Sequence, residues 1–231
     1  MELLANSLYS DANLVSYYRL EANSADTKAA FDANNYNVSF SVGNGKYGIG
    51  AGLNGATAYI NVIAGTSAFR YGTVQPFSVN YWLNPDTTSQ VAAVFAKYNS
   101  GVNGLFYTDY QSGGILGFFR EFPPTYPKLV TGTIAAAGSW IFVSNVYDGT
   151  NLNLYVNGTS AVAPAASGTV NNAGTLSPVN IGAGFSSGVP AYFFKGKIDD
   201  VSIFSRALTA VEILALYQDP FGGLDLTSKS W

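Results

Sequence analysis

Chemistry in this chain rests on oxygen and on aromatic faces. Its 231 residues include no histidine and no cysteine. The commonest general base, the commonest neutral transition-metal ligand and any thiol nucleophile are therefore missing. A serine nucleophile has no imidazole to take its proton. A glycosidase needs two carboxylates roughly 5–10 Å apart at one surface. The glutamates are four, Glu2, Glu21, Glu121 and Glu212, and they are widely spaced. Glu2 is terminal, and Glu212 is expected to be spent on a helix cap. The closest acidic pair, Asp199-Asp200, alternates to opposite faces of an expected strand. No pair converges, and the chain reads as a non-enzyme.

Recognition of sugars needs other parts. Aromatic rings lie against sugar C–H surfaces, and amides, carboxylates and backbone groups bind the hydroxyls. Tyr98, Tyr110, Phe122, Tyr126 and Tyr192 are the aromatic candidates expected in loops. The segment Glu121-Phe-Pro-Pro-Thr-Tyr-Pro127 is the most distinctive of these, because three prolines pre-set its backbone.

The elements that must hold such residues are strands. Phe77-Ser-Val-Asn-Tyr-Trp-Leu83 puts Phe77, Val79, Tyr81 and Leu83 on one face and Ser78, Asn80 and Trp82 on the other. From Trp140 to Thr159 the alternation restarts twice, at Asp148-Gly149 and at Asn157-Gly158. Both dipeptides tolerate positive φ, so the segment reads as a three-stranded antiparallel meander. Further strands are expected at 14–20, 36–40, 58–62, 91–97, 105–110, 115–120, 129–134, 179–183 and 192–204. One helix is expected over 209–217, where Thr209 and Glu212 form a capping box. Strands at this density make a sandwich or barrel.

Composition sets outer limits. Hydrophobic residues make up 48% and charged residues 11%, so a large core forms without disulfides. Net charge is −3, and the eleven Lys and Arg are scattered, which argues against a nucleic-acid partner. No stretch is apolar enough to enter a membrane as a helix. The opening Met1-Glu-Leu-Leu-Ala-Asn-Ser does not read as a signal peptide.

The pattern resembles the laminin-G-like, concanavalin A-like domains. Residues 140–158 look like their central meander. Gly196-Lys-Ile-Asp-Asp-Val-Ser-Ile-Phe-Ser-Arg-Ala-Leu-Thr to Tyr217 looks like their closing strand and short helix, and Leu14–Asp26 and Gly52–Ile60 also fit. The resemblance implies an all-β, two-sheet antiparallel jelly-roll sandwich over residues 13–217, with arms at 1–12 and 218–231. It implies binding of carbohydrate or cell-surface glycan, often with Ca²⁺, on an extracellular or virion surface. Asp26 and Asp199 match places where such domains put acidic residues, with Asp32 as a substitute for Asp26. The alternative is that Asp26 caps a turn and that Asp199 or Asp200 pairs with Arg206. The acidic run of the related glucanases has no counterpart among the four glutamates.

Two functions from different classes follow: a carbohydrate-binding or adhesive module, and a structural or decoration protein of a phage or other surface assembly. Phe221, Leu224, Leu226 and Trp231 in the C-terminal arm suit self-association or docking on assembly partners.

Overall fold

The structure, a computed structural model, describes residues 8–62, 75–97, 99–100, 106–120, 128–166 and 178–218. Alternation along the strands closes into two packed antiparallel sheets. Among the described residues the larger has nine strands. Its order runs Thr159–Ser160, Asn151–Val156, Ile141–Tyr147, Phe77–Pro85, Lys195–Phe204, Gly50–Asn54, Ser39–Ser41. Leu14–Tyr18 also pairs with Lys195–Phe204, and Ala165–Ala166 with Asn151–Val156. The smaller has seven, ordered Lys128–Thr133, Ile115–Arg120, Phe106–Gln111, Ala92–Lys97, Val179–Ile181, Tyr59–Val62, Asn34–Tyr36. This is the sandwich that the alternation predicts, in the two-sheet jelly-roll form that the resemblance implies.

The inward faces meet in one core. Phe77, Val79, Tyr81 and Leu83 of the larger sheet pack with Phe95, Phe106, Phe118, Ile60 and Ile181 of the smaller. Burying each such side chain stabilises the fold by roughly 1.5–3 kcal/mol. Tyr81 brings its hydroxyl inside, where it donates to Thr108 Oγ1 at 3.0 Å. Burial pushes its pKa up to about 12.

A second apolar layer covers the outward face of the larger sheet. Trp82, Phe142, Val146, Phe204 and Tyr17 point away from the core and are buried by Leu8, Leu208, Ile213 and Leu216. The helix Ala210–Gln218 supplies the last two. Its capping box forms as expected: the Thr209 amide donates to Glu212 Oε2 at 2.7 Å, and the Glu212 amide to Thr209 Oγ1 at 3.3 Å. Arg206 locks this layer, with Nη2 at 2.6 Å from both Asp11 and Glu212. So Arg206 pairs with these two carboxylates, and residues 8–12 lie docked on the sandwich. Residues 219–231, with Phe221, Leu224, Leu226 and Trp231, lie outside the described residues.

Three local expectations change. The stretch 36–40 is two strands, in different sheets, joined where Asn37 takes φ of 51°. Asn tolerates that conformation, and the chain crosses from the smaller sheet to the larger there. The closing strand begins at Lys195, and a hairpin of Gly184–Ser186 and Val189–Ala191 precedes it. In the closing strand a bulge falls between Asp199 and Ser202, and Asp200 has φ of 48°. Ile198 and Val201 both stay in the core, so Asp199 and Asp200 both turn outward. The expected opposite orientation of this pair is corrected by that one extra residue.

No helix among the described residues is long and apolar enough to cross a membrane.

Candidate functional site

The outward face of the smaller sheet holds a pocket with a carboxylate in its lining. Register places Gly117, Asp109 and Ala93 side by side on three neighbouring strands. Their neighbours along each strand, Phe118, Tyr110 and Ala92, face the core, so these three face outward. Asp109 Oδ1 lies over Gly117, and Ala93 lines the space on the other side. Tyr107, two residues away on the same strand, and Tyr192 stand beside that space. The pocket lined by Val91, Ala92, Ala93, Tyr107, Asp109 and Tyr192 has a volume of ≈180 Å³.

Tyr192 is held by its backbone. Its carbonyl accepts from the Ala93 amide at 2.9 Å, and its φ of 56° turns the chain sharply before the closing strand. The residue is 48% exposed at the edge of the pocket. Asp109 is only 7% exposed. Its Oδ2 accepts from Lys128 Nζ and Gln111 Nε2, both at 2.9 Å. Its Oδ1 has no hydrogen-bond partner among the described residues.

A second aromatic group lies further along the same face. Across the sheet the outward row runs Tyr107, Ala96, Asn180, Asn61, Asn34. Asn61 donates to Asn180 Oδ1 at 2.6 Å. Beside this row Tyr36 and Tyr59 stack, with ring centroids 4.5 Å apart and planes 5° from parallel. Phe185 and Phe193 pack against Tyr59 at 6.5 and 6.1 Å. The Gly184–Ala191 hairpin thus supplies Phe185 at this end, and Tyr192, which follows it directly, stands at the other.

Of the aromatics singled out in the sequence, Tyr192 is in the pocket. Tyr110 sits on a strand, fully buried, against Phe194 in the core. It is a packing residue and is not available to a sugar. Tyr98, Phe122 and Tyr126 lie outside the described residues. Asp109, Tyr107, Ala93 and Gly117 were not singled out. Alternation of Tyr107, Asp109 and Gln111 against Phe106, Thr108 and Tyr110 could have found the first two; Ala93 and Gly117 carry no such signal.

The acidic candidates hold loops. Asp26 Oδ1 accepts from the amides of Tyr17 and Lys28, at 2.8 and 3.0 Å. Its Oδ2 accepts from Phe31 at 3.0 Å and Ala30 at 3.3 Å. Asp32 Oδ1 accepts from the Asp26 amide at 2.9 Å. Asp199 Oδ2 accepts from Lys46 and Tyr47, at 2.8 and 3.1 Å. Asp26 thus caps a turn, and Asp199 ties residues 46–47 to the closing strand. Among the described residues no three Asp or Glu side chains group as a metal site. Glu21 accepts from the Ile49 amide at 3.1 Å; Glu2 and Glu121 lie outside the described residues.

Comparison with known proteins agrees with this architecture. Domain 4 of AbnA, a GH43 extracellular arabinanase from Geobacillus stearothermophilus, solved in complex with arabinotriose, is similar at a TM-score of 0.67 and 18% identity, covering 89% of this chain and 98% of that one. The binding domain of Paraclostridial Mosquitocidal Protein 1 is similar at 0.67 and 15%, covering 93% of this chain and 52% of that one. The receptor-binding domain of botulinum neurotoxin C/D mosaic serotype is similar at 0.66 and 14%, covering 89% and 51%. The chain spans about half the length of these two toxin domains. At such identities the likeness is one of fold. No curated protein is similar enough in sequence to match. A family model described as the concanavalin A-like lectin/glucanases superfamily, of laminin-G type, matches residues 54–214. That is more than half of the chain, and with the two-sheet jelly roll it settles the family: the chain belongs to the laminin-G-like domains of the concanavalin A-like lectin/glucanases superfamily.

Proposed function

We propose that the protein is a non-catalytic carbohydrate-binding module whose pocket is the one around Asp109, Tyr107 and Tyr192. The observation that carries this reading is the lining of the pocket: Tyr107 and the half-exposed Tyr192 stand beside the Asp109 carboxylate in a recess of ≈180 Å³. Tyrosines beside a carboxylate are the parts that bind sugars: aromatic rings lie against C–H surfaces, and polar side chains hold the hydroxyls. The arabinotriose-bound and receptor-binding domains of similar fold lend support. A surface low in charge and rich in Asn, Ser, Thr and Tyr suits display on a cell or virion exterior.

The test is a glycan array followed by calorimetric titration of its hits, with arabinotriose included. Tyr192→Ala is the diagnostic variant, because this ring is half exposed and its loss spares the core. Binding weakened roughly tenfold or more supports the pocket. Unchanged binding by Tyr192→Ala and Asp109→Asn, or no binding to any glycan at millimolar concentration, removes it.

A further inference from the structure

The outward face of the larger sheet has a recess of its own. Register puts Ser39, Gly52 and Lys197 in one row across three strands. Ala51 and Ile198, their neighbours along the chain, are in the core, so the row faces outward. The recess there has a volume of ≈290 Å³, with Asn37, Asn44, Asp86 and Lys197 among its lining. That is near the small end of pockets that hold small molecules, roughly 300–1,000 Å³.

Local structure builds this recess and leaves its polar groups unspent. Gly52 has no room for a Cβ, since Asn44 Nδ2 and Ser39 Oγ occupy the place. The Asn44 amide crosses above the glycine and donates to Ser39 O at 3.0 Å and Ser39 Oγ at 3.1 Å. Its Oδ1 then accepts nothing within the described residues. Asn54 spends its Oδ1 on the amides of Ala56, Thr57 and Ala58, which fixes the adjoining turn. The side chains of Asn37, Asp86 and Lys197 make no hydrogen bond among the described residues. Asp86 and Lys197 line the same recess and form no ion pair with each other.

We infer that this recess is a second saccharide-binding subsite for neutral sugars, on the sheet opposite the Asp109 pocket, so that one module holds two glycan chains. One carboxylate, one ammonium and two amides offer both donors and acceptors with no net charge. An acidic ligand meets Asp86 and a basic one meets Lys197, whereas a polyhydroxylated neutral ligand uses all four. The two-chain form of the inference rests on the Asp109 pocket also binding sugar; the recess itself does not.

The experiment follows backbone amide NMR shifts of the full chain during titration with arabinotriose, maltotriose and cellotriose. Asp86→Ala/Lys197→Ala and Tyr192→Ala are the paired variants; Asp86 is exposed and Lys197 half-buried, so both variants leave the core intact. Shifts around Gly52 and Lys197 that survive Tyr192→Ala, and weaken roughly tenfold in the double variant, support the recess. Shifts confined to Ala93 and Tyr192 overturn it and leave the Asp109 pocket standing. Shifts confined to Gly52 and Lys197 support the recess while removing the pocket and the two-chain form. No shift at either place with any of the three sugars at millimolar concentration overturns the inference.

Discussion

Gly117 and Asp109 face each other across neighbouring strands, and Asp109 Oδ1 occupies the space that a side chain on Gly117 would need. The carboxylate keeps its place because its neighbour has no Cβ. Gly117→Ala is therefore expected to push Asp109 off Lys128, at a cost of roughly 1–3 kcal/mol from overpacking. Urea denaturation measures that loss. If sugar binds in the pocket, affinity should fall in the same variant while the β-sheet circular dichroism stays unchanged.

The Arg206 clamp makes stability depend on acid. Burial alone would raise the pKa of Glu212, but hydrogen bonds from Arg206 and Thr209 outweigh it and hold it below its ordinary value of 4.5. Asp11 behaves likewise: burial raises it, and bonds from Asn13 and Arg206 bring it below 3.8. A carboxylate with a depressed folded pKa contributes stability above its unfolded pKa. That contribution is lost as pH falls through the folded value. Melting temperature should therefore drop below about pH 4.5, and the drop should shrink in Glu212→Gln. That variant also weakens the helix cap, by about 1 kcal/mol at neutral pH.

The turn at Asn157-Gly158 is a structural test, because Gly158 is buried under the helix. Both residues have positive φ, 49° and 79°, as a two-residue hairpin turn requires. Asn157 Oδ1 accepts from the Phe142 amide at 2.9 Å, and a Cβ on Gly158 would meet Leu214 Cδ1 at 2.8 Å. Gly158→Ala is expected to cost more than about 1 kcal/mol, through backbone strain and displacement of the helix. Asn157→Gly should be milder, because it loses the hydrogen bond and keeps the conformation. Thermal melts of the two variants give the order.

Calcium at Asp26 or Asp199 would have to displace backbone donors. Four amides already converge on Asp26. A titration with calcium against a chelator is expected to leave the melting temperature unchanged, whereas a rise of several degrees would mark a bound cation. Asp26→Ala should cost roughly 2–4 kcal/mol, because it strands several buried amides at once.

Legibility followed range. Period-two alternation and the Asp148-Gly149 and Asn157-Gly158 turns are local signals, and they set the meander and its inward faces. The Thr209–Glu212 cap is local too. What alternation hides is any residue that breaks it. The bulge at Asp200 turns two aspartates to one side, and Asn37 divides one stretch between two sheets. The Asp109 pocket was hidden for a different reason. It needs Ala93, Asp109 and Gly117, from three strands, to meet in register, and small residues carry no chemical signature of their own. Tyr192 was recognisable as an exposed aromatic, whereas Tyr110 looked the same in sequence and proved to be packing.

The pairing of Leu14–Tyr18 with Lys195–Phe204 has a mechanical consequence. The rung nearest both ends of the sandwich is Leu14 opposite Phe204. A pull applied to residues 13 and 205 would therefore peel the two strands apart one rung at a time, instead of shearing all rungs together. Peeling is the weaker geometry, and survival under load is governed by the unfolding rate. The Asp11–Arg206–Glu212 contacts lie just outside that first rung and take the strain before it does. Force entering through residues 8 and 218 would thus meet the Arg206 clamp and the apolar layer of Leu8, Ile213 and Leu216 before it meets that rung.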